Sequence, residues 1–230
     1  GNIIEFAKVR QSDLPSIKWR VQNVFEPEFA AEKTDLVTCT LFTHHFTDGE
    51  LVLLQARMLS YYGCYREDTA RQAYQYWLKT QPFTIAPALQ RALTHQPSEQ
   101  DCSLAALSRQ LPIAIMGVHF SLPQIAAWAM QDTALTQPAS LCQQASALYA
   151  MALAKAIDKG SSADDLYQDL LQWARDLKVD PVLRQLIEQA LFMPPANYQD
   201  PAQPVLCALH NAIWQMLYAR SVSEAITESL

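Results

Sequence analysis

The side chains best suited to chemistry stand together near position 46. His44 and His45 precede Asp48, and the spacing of four residues from His44 to Asp48 would place two metal ligands on one face if this segment were helical. Histidines and carboxylates also occur together without a metal, so a surface or structural role is the favoured interpretation. Phosphate-binding glycine loops and a G-x-S-x-G serine elbow are absent from the sequence.

Arg109 is the second candidate because it follows a largely apolar stretch and precedes the segment LPIAIMG. An arginine in such surroundings either extends its head group to solvent or meets an anion. The favoured interpretation is an internal salt bridge. The alternative is an anionic ligand, since a guanidinium group matches the geometry of a phosphate.

The elements that must position these side chains are predicted to be helices. The chain has five glycines, whereas average usage gives roughly sixteen in a chain of this length. Cap residues and helical spacing predict an all-α, single-domain bundle over residues 1–230, with one short extended segment near 36–43. The predicted helices are 49–62, 67–80, 122–135, 139–158, one after the capping serines Ser161 and Ser162, 181–192, one from Pro204 and one after Ser221.

Composition and charge indicate which partners and which cellular compartment the sequence favours. The net charge is -6, which does not favour nucleic-acid binding, and no apolar run approaches the roughly 20 residues that span a membrane. The first residues lack the basic opening and apolar stretch of a signal peptide. Five widely spread cysteines without a CxxC pair predict reduced thiols and a cytoplasmic protein.

Five blocks of the sequence, in the correct order, resemble the ADP-ribosylglycohydrolase family. The family's metal-binding block, roughly Thr-Asp-Asp-Thr-Glu before a helix ending in Ala-Arg-Ser-Leu, resembles FTDGELVLLQARML, where Glu50 and Arg57 match. Its Asn-Gly-Ser-Leu-Met-Arg-x-x-Pro block resembles the segment that carries Arg109 and Pro112. The resemblance covers most of residues 46–226, and the five blocks are 46–59, 77–93, 103–116, 126–157 and 205–225.

The resemblance implies an all-α enzyme that uses two divalent metals, magnesium or manganese, to cleave the bond between ADP-ribose and an acceptor. Hard oxygen ligands must hold such metals. Many family positions with those ligands or with close-approach glycines have changed in this chain. Leu104 and Ala105 stand at the family's Asn-Gly pair, and Gln137 stands at the His of its Thr-His-Pro. The other substituted positions are Phe46, Thr47, Gly49, Thr84 and Ala86.

The resemblance also implies a set of candidate site residues. Asp48 is the one metal ligand retained in the first block, and Asp48 and Glu50 are vestigial catalytic candidates. Arg109, Thr136 and Gln137 are candidates for contact with a ligand. The family's opening Gly-Asp helix would precede Asn2 and its Asp-x-Asp-Thr motif would follow the last helix, so a natural chain that continued beyond Leu230 would restore part of the metal site.

Three interpretations follow. The favoured one is a degenerate family member that has lost dinuclear-metal hydrolysis, needs no cofactor, and binds an ADP-ribose-like ligand or a protein partner as a regulatory pseudoenzyme. Non-catalytic members occur in this family, a lens crystallin among them. The second is an active hydrolase with an altered magnesium or manganese site. The third is an unrelated helical protein-interaction domain.

Overall fold

A computed structural model describes residues 49–80, 85, 87–94, 97–98, 100–195 and 204–227. They all belong to one compact unit that spans Cys39–Leu230, and none of them lies in a strand. The predicted extended segment near 36–43 lies outside the described residues, and a single domain over 1–230 stays a prediction. The described helices are α1 (Gly49–Tyr62), α2 (Glu67–Lys79), α3 (Pro87–Thr94), α4 (Ala105–Ser108), α5 (Gln110–Gly117), α6 (Leu122–Ala134), α7 (Ser140–Lys159), α8 (Ala163–Asp176), α9 (Pro181–Gln189), α10 (Pro204–Tyr218) and α11 (Val222–Thr227).

Several helices begin or end at the cap residues that the sequence contains. The Ser162 hydroxyl accepts a hydrogen bond from the Asp165 N–H at 3.2 Å and thereby begins α8. The Asp180 carboxylate accepts one from the Val182 N–H at 2.8 Å and begins α9. Ser121 is the N-cap of α6 by position, although its side chain makes no cap hydrogen bond.

The 20-residue helix α7 lies at the centre of the fold and packs against α4, α5, α6, α8 and α10. Small side chains allow these neighbours to approach closely. Ala145 and Leu148 face one core cluster, which α8, α9 and α10 complete. Ala150 and Ala154 face the other cluster, which α1, α2 and α6 complete. The alanine-rich composition of α7 therefore lets one helix serve two cores.

Aromatic side chains help to fill these cores. Trp77, Trp128 and Trp173 are buried, and Tyr74 on α2 is fully buried in the cluster with α1. Gly117 marks a close approach, because a Cβ atom there would lie 2.9 Å from Ile125 on α6. None of the helices in the described part of the chain is both long and apolar enough to cross a membrane.

We predict that Gly63→Ala lowers the free energy of unfolding by about 1 kcal/mol. Gly63 follows α1 with φ of 66°, its N–H bonds the Leu59 carbonyl at 2.8 Å, and a Cβ atom would meet nothing within 4 Å. The loss is therefore backbone strain alone. Urea denaturation measures it, with Ser60→Ala in the exposed last turn of α1 as the control. A Gly63→Ala loss no larger than that of Ser60→Ala would contradict the left-handed cap.

Candidate functional site

An ion pair without solvent contact lies at the centre of the candidate site. Arg109, between α4 and α5, donates from Nε to Asp132 Oδ2 on α6 at 3.0 Å, and both side chains are 0% exposed. Two buried charges lose several kcal/mol of hydration each, so they persist only when hydrogen bonds satisfy their remaining atoms. The favoured internal salt bridge is therefore observed, with Asp132 as the partner.

Two tyrosines satisfy the other oxygen of the same carboxylate. The Tyr74 hydroxyl donates to Asp132 Oδ1 at 2.7 Å, and the Tyr65 hydroxyl donates to the same atom at 3.3 Å. Burial raises the pKa of both phenols, and the negative charge of Asp132 raises it further. Both hydroxyls therefore keep their protons and remain donors at neutral pH.

A run of hydrogen bonds leads from the ion pair outward. Arg109 Nη2 donates to Thr136 Oγ1 at 2.5 Å, and the Thr136 hydroxyl donates to Gln137 Oε1 at 2.5 Å. Gln137 Nε2 then donates to Ser103 Oγ at 2.7 Å. Each group donates in the same direction, so each bond polarises the next. The run thus connects the buried guanidinium to the Ser103 hydroxyl.

Ser103 lies on the wall of a cavity of about 500 Å³, a size common for small-ligand sites. The cavity lies between the end of α3, the loop before α4 and the start of α10. The Val205 N–H closes this side by donating to the Cys102 carbonyl at 3.2 Å. Its described lining residues are Arg91, Ser98, Gln100, Asp101, Cys102, Ser103 and Pro204.

The donor groups of this lining suit an anionic, hydroxyl-rich ligand. Arg91 supplies an exposed guanidinium, whereas Asp101 supplies a single carboxylate that already accepts from the Ser103 N–H at 3.3 Å. One carboxylate beside a guanidinium does not fit two dications, which require several hard oxygen ligands. Among the described residues, no three His, Cys, Asp or Glu side chains are close enough to hold a metal ion.

The structure brings together three of the candidate residues. Arg109, Thr136 and Gln137 form the run described above, and Gln137 ends within hydrogen-bonding distance of the cavity wall. Direct contact of these side chains with a ligand stays a prediction. Glu50 belongs to α1, but its side chain lies outside the described residues, as do Asp48, His44 and His45.

Sequence reasoning missed Asp132, Tyr74 as a hydrogen-bond donor, and Ser103. Asp132 lies in the segment AMQDTAL, and a single acidic residue in a helix is usually expected to face solvent. A usable signal was its position on the inner face, since Asp132 follows Ala129, Trp128 and Ile125 at helical spacing and all three are buried. A buried arginine requires a buried acid, and Asp132 is the acid on that face.

We predict that Arg109→Met and Asp132→Leu each lower the free energy of unfolding by about 3–5 kcal/mol, because each leaves an uncompensated buried charge. The double variant loses much less than the sum of the two single losses. Urea denaturation measures this coupling. The exposed pair Glu67–Arg71, with side chains 45% and 48% exposed, is the matched control. Glu67→Leu and Arg71→Met should couple by less than about 0.5 kcal/mol. Additive losses at Arg109 and Asp132 would contradict the network.

We also predict that the free energy of unfolding falls as the pH rises above about 10, the ordinary pKa of tyrosine. Above that pH the unfolded chain releases phenol protons that native Tyr65 and Tyr74 retain, so the native state binds more protons and stability declines. Each such tyrosine contributes about 1.4 kcal/mol per pH unit.

Urea denaturation between about pH 9 and 11 tests this dependence on the pKa of Tyr74. Tyr74→Phe should reduce the slope by one tyrosine's share, and Tyr76→Phe, at a side chain that is 70% exposed, is the matched control. Equal slopes for wild type and Tyr74→Phe would show that the Tyr74 phenol is not held protonated by its surroundings.

One comparison with known proteins identifies a family. A family model described as ADP-ribosylglycohydrolase matches residues 5–230. No curated protein and no solved structure shows a significant match. The family match excludes the third interpretation, an unrelated helical interaction domain, and the all-α fold predicted from the sequence is confirmed. Residues 5–230 include the blocks that carry Arg109, Thr136 and Gln137, and the chain belongs to the ADP-ribosylglycohydrolase family.

Proposed function

We propose that this chain binds an ADP-ribose-like ligand in the cavity beside Ser103 and does not hydrolyse it through a two-metal centre. The observation that carries the proposal is the lining itself, which combines the Arg91 guanidinium with the hydroxyls of Ser98 and Ser103 and a single carboxylate, Asp101. Membership of a family that acts on ADP-ribose supports the class of ligand.

The chemistry of the ligand fits these groups. A guanidinium forms paired hydrogen bonds with a phosphate, so Arg91 is suited to the diphosphate. Hydroxyls and amides both donate and accept, so Ser98, Gln100 and Ser103 are suited to ribose hydroxyls. In this proposal Arg109 does not touch the ligand. It positions Ser103 through Thr136 and Gln137, because its guanidinium is fully buried and bonded to Asp132.

Loss of hydrolysis is supported by the residues at the family's chemical positions. Gln137 replaces a histidine, and its amide is committed to Thr136 and Ser103. Leu104 replaces the family's asparagine and presents an apolar side chain that is 41% exposed. The Gln137 amide oxygen already accepts from Thr136, Leu104 has no metal ligand, and neither side chain exchanges a proton near neutral pH.

A cytoplasmic place of action belongs to the same proposal. The cysteines within the described residues, Cys64, Cys102, Cys142 and Cys207, form no disulfide. Proteins that retain several thiols act mostly in reducing compartments.

Titration calorimetry with ADP-ribose tests the binding, and Arg91→Ala should weaken it about tenfold, equal to about 1.4 kcal/mol. Arg184→Ala, an exposed arginine on α9 outside the cavity lining, is the matched control and should leave the affinity unchanged. Absence of binding to the wild type, or equal affinities for the wild type and Arg91→Ala, would overturn the proposed ligand site.

A second measurement tests the loss of hydrolysis. The protein is titrated with magnesium and manganese and then incubated with an ADP-ribosylated protein. We expect no saturable metal binding and no released ADP-ribose. Saturable binding together with release would establish the alternative, an active hydrolase with an altered metal site in which Asp48 and Glu50 still act.

A further inference from the structure

Two cysteines that are distant in the sequence meet beside the cavity. Cys102 is half-buried and lines the cavity, whereas Cys142 is fully buried in the first turn of α7. The Cys142 thiol donates a hydrogen bond to the Asp101 carbonyl oxygen, with the sulfur 3.8 Å away. That carbonyl belongs to the peptide unit that continues into Cys102, so the two cysteine residues are close neighbours in space.

The local geometry supports direct contact between the two thiols. In a trans peptide the carbonyl oxygen lies about 2.8 Å from the following Cα atom, so the Cys142 sulfur is within side-chain reach of Cys102. Burial raises the pKa of the Cys142 thiol, and a hydrogen bond with the Cys102 thiol raises it further. A disulfide between two cysteines requires Cα atoms about 4.4–6.8 Å apart.

We propose that Cys102 and Cys142 form a redox-active pair, in which hydrogen peroxide oxidises Cys102 and Cys142 converts the product to a disulfide. In the first step the Cys102 sulfur attacks one peroxide oxygen, the O–O bond breaks, and Cys102 becomes a sulfenic acid while its thiol proton leaves in water. In the second step the Cys142 sulfur attacks the Cys102 sulfur and the S–O bond breaks. The Cys142 proton joins the departing hydroxide as a second water.

The two cysteines take different roles because their surroundings differ. Cys102 is half-buried and belongs to the cavity lining, so the cavity is the route by which peroxide would reach it. Cys142 is 0% exposed and keeps its proton, so it does not react first. Its position behind Cys102 makes it the resolving cysteine, which acts once the sulfenic sulfur has become electrophilic.

The disulfide would tie the cavity wall to the central helix. Cys102 directly precedes Ser103, whose hydroxyl accepts from Gln137, and Cys142 stands in the first turn of α7 shortly after Gln137. Oxidation would therefore connect the two segments that flank the Ser103–Gln137 hydrogen bond. The proposed pair does not depend on which ligand the cavity binds.

The test treats the whole chain with a small excess of hydrogen peroxide, quenches it, alkylates the remaining thiols in denaturant and analyses the peptides by mass spectrometry. We expect a peptide pair linked by Cys102 and Cys142 in the wild type and in Cys64→Ser. Cys64 is the matched control because it is half-buried like Cys102 but packs against the other core cluster. Dimedone should label Cys102 in Cys142→Ser and should not label Cys142 in Cys102→Ser.

A second readout keeps the test decisive if Cys142→Ser, which changes a buried residue, does not fold. Oxidised wild type should show a higher Tm than reduced wild type, and dithiothreitol should reverse the rise, as expected when a disulfide closes a long loop. Alkylation of both Cys102 and Cys142 after peroxide treatment of the wild type, or oxidation at Cys64 to the same extent as at Cys102, would overturn the proposal.

Discussion

The buried ion pair between Arg109 and Asp132 is the interaction on which the rest of the described structure depends. Both charges are removed from water, so each must be satisfied by atoms that other helices supply. Asp132 on α6 accepts hydrogen bonds from the Tyr74 hydroxyl on α2 and from the Tyr65 hydroxyl in the segment just before α2. Arg109 and the two tyrosines come from different parts of the chain, and the Asp132 carboxylate joins them at one point. Displacement of any one of these donors therefore leaves the buried carboxylate with too few hydrogen bonds.

The same pair connects the core to the cavity. Thr136 and Gln137 occupy the turn that follows α6, where their N–H groups bond the Thr133 carbonyl at 3.1 and 2.7 Å. This turn presents both side chains between Arg109 and Ser103. An amide donates from one end and accepts at the other without titrating, so Gln137 provides a hydrogen-bonded link between Thr136 and Ser103.

Local signals predicted much of the fold, whereas the site depends on long-range pairing. Ser162, Asp180 and Gly63 each determine a helix end through contacts within four residues of the chain, which a sequence reveals directly. Burial of Arg109 was also predictable from its apolar surroundings. Its partner was not, because Asp132 is 23 residues away and a single acid in a helix usually faces solvent. The proximity of Cys102 and Cys142 is hidden for the same reason, because spacing along the chain does not report distance in space.

The network is built from the chain's own polar groups. Its polar groups bond one another, so the stability they supply requires no metal or ligand oxygen. At the cavity the network requires only a hydroxyl at Ser103 to accept from Gln137. Leu104, the next residue, is 41% exposed, and a change at its position costs the buried charges nothing. The core network and the cavity wall therefore meet at the Ser103 hydroxyl.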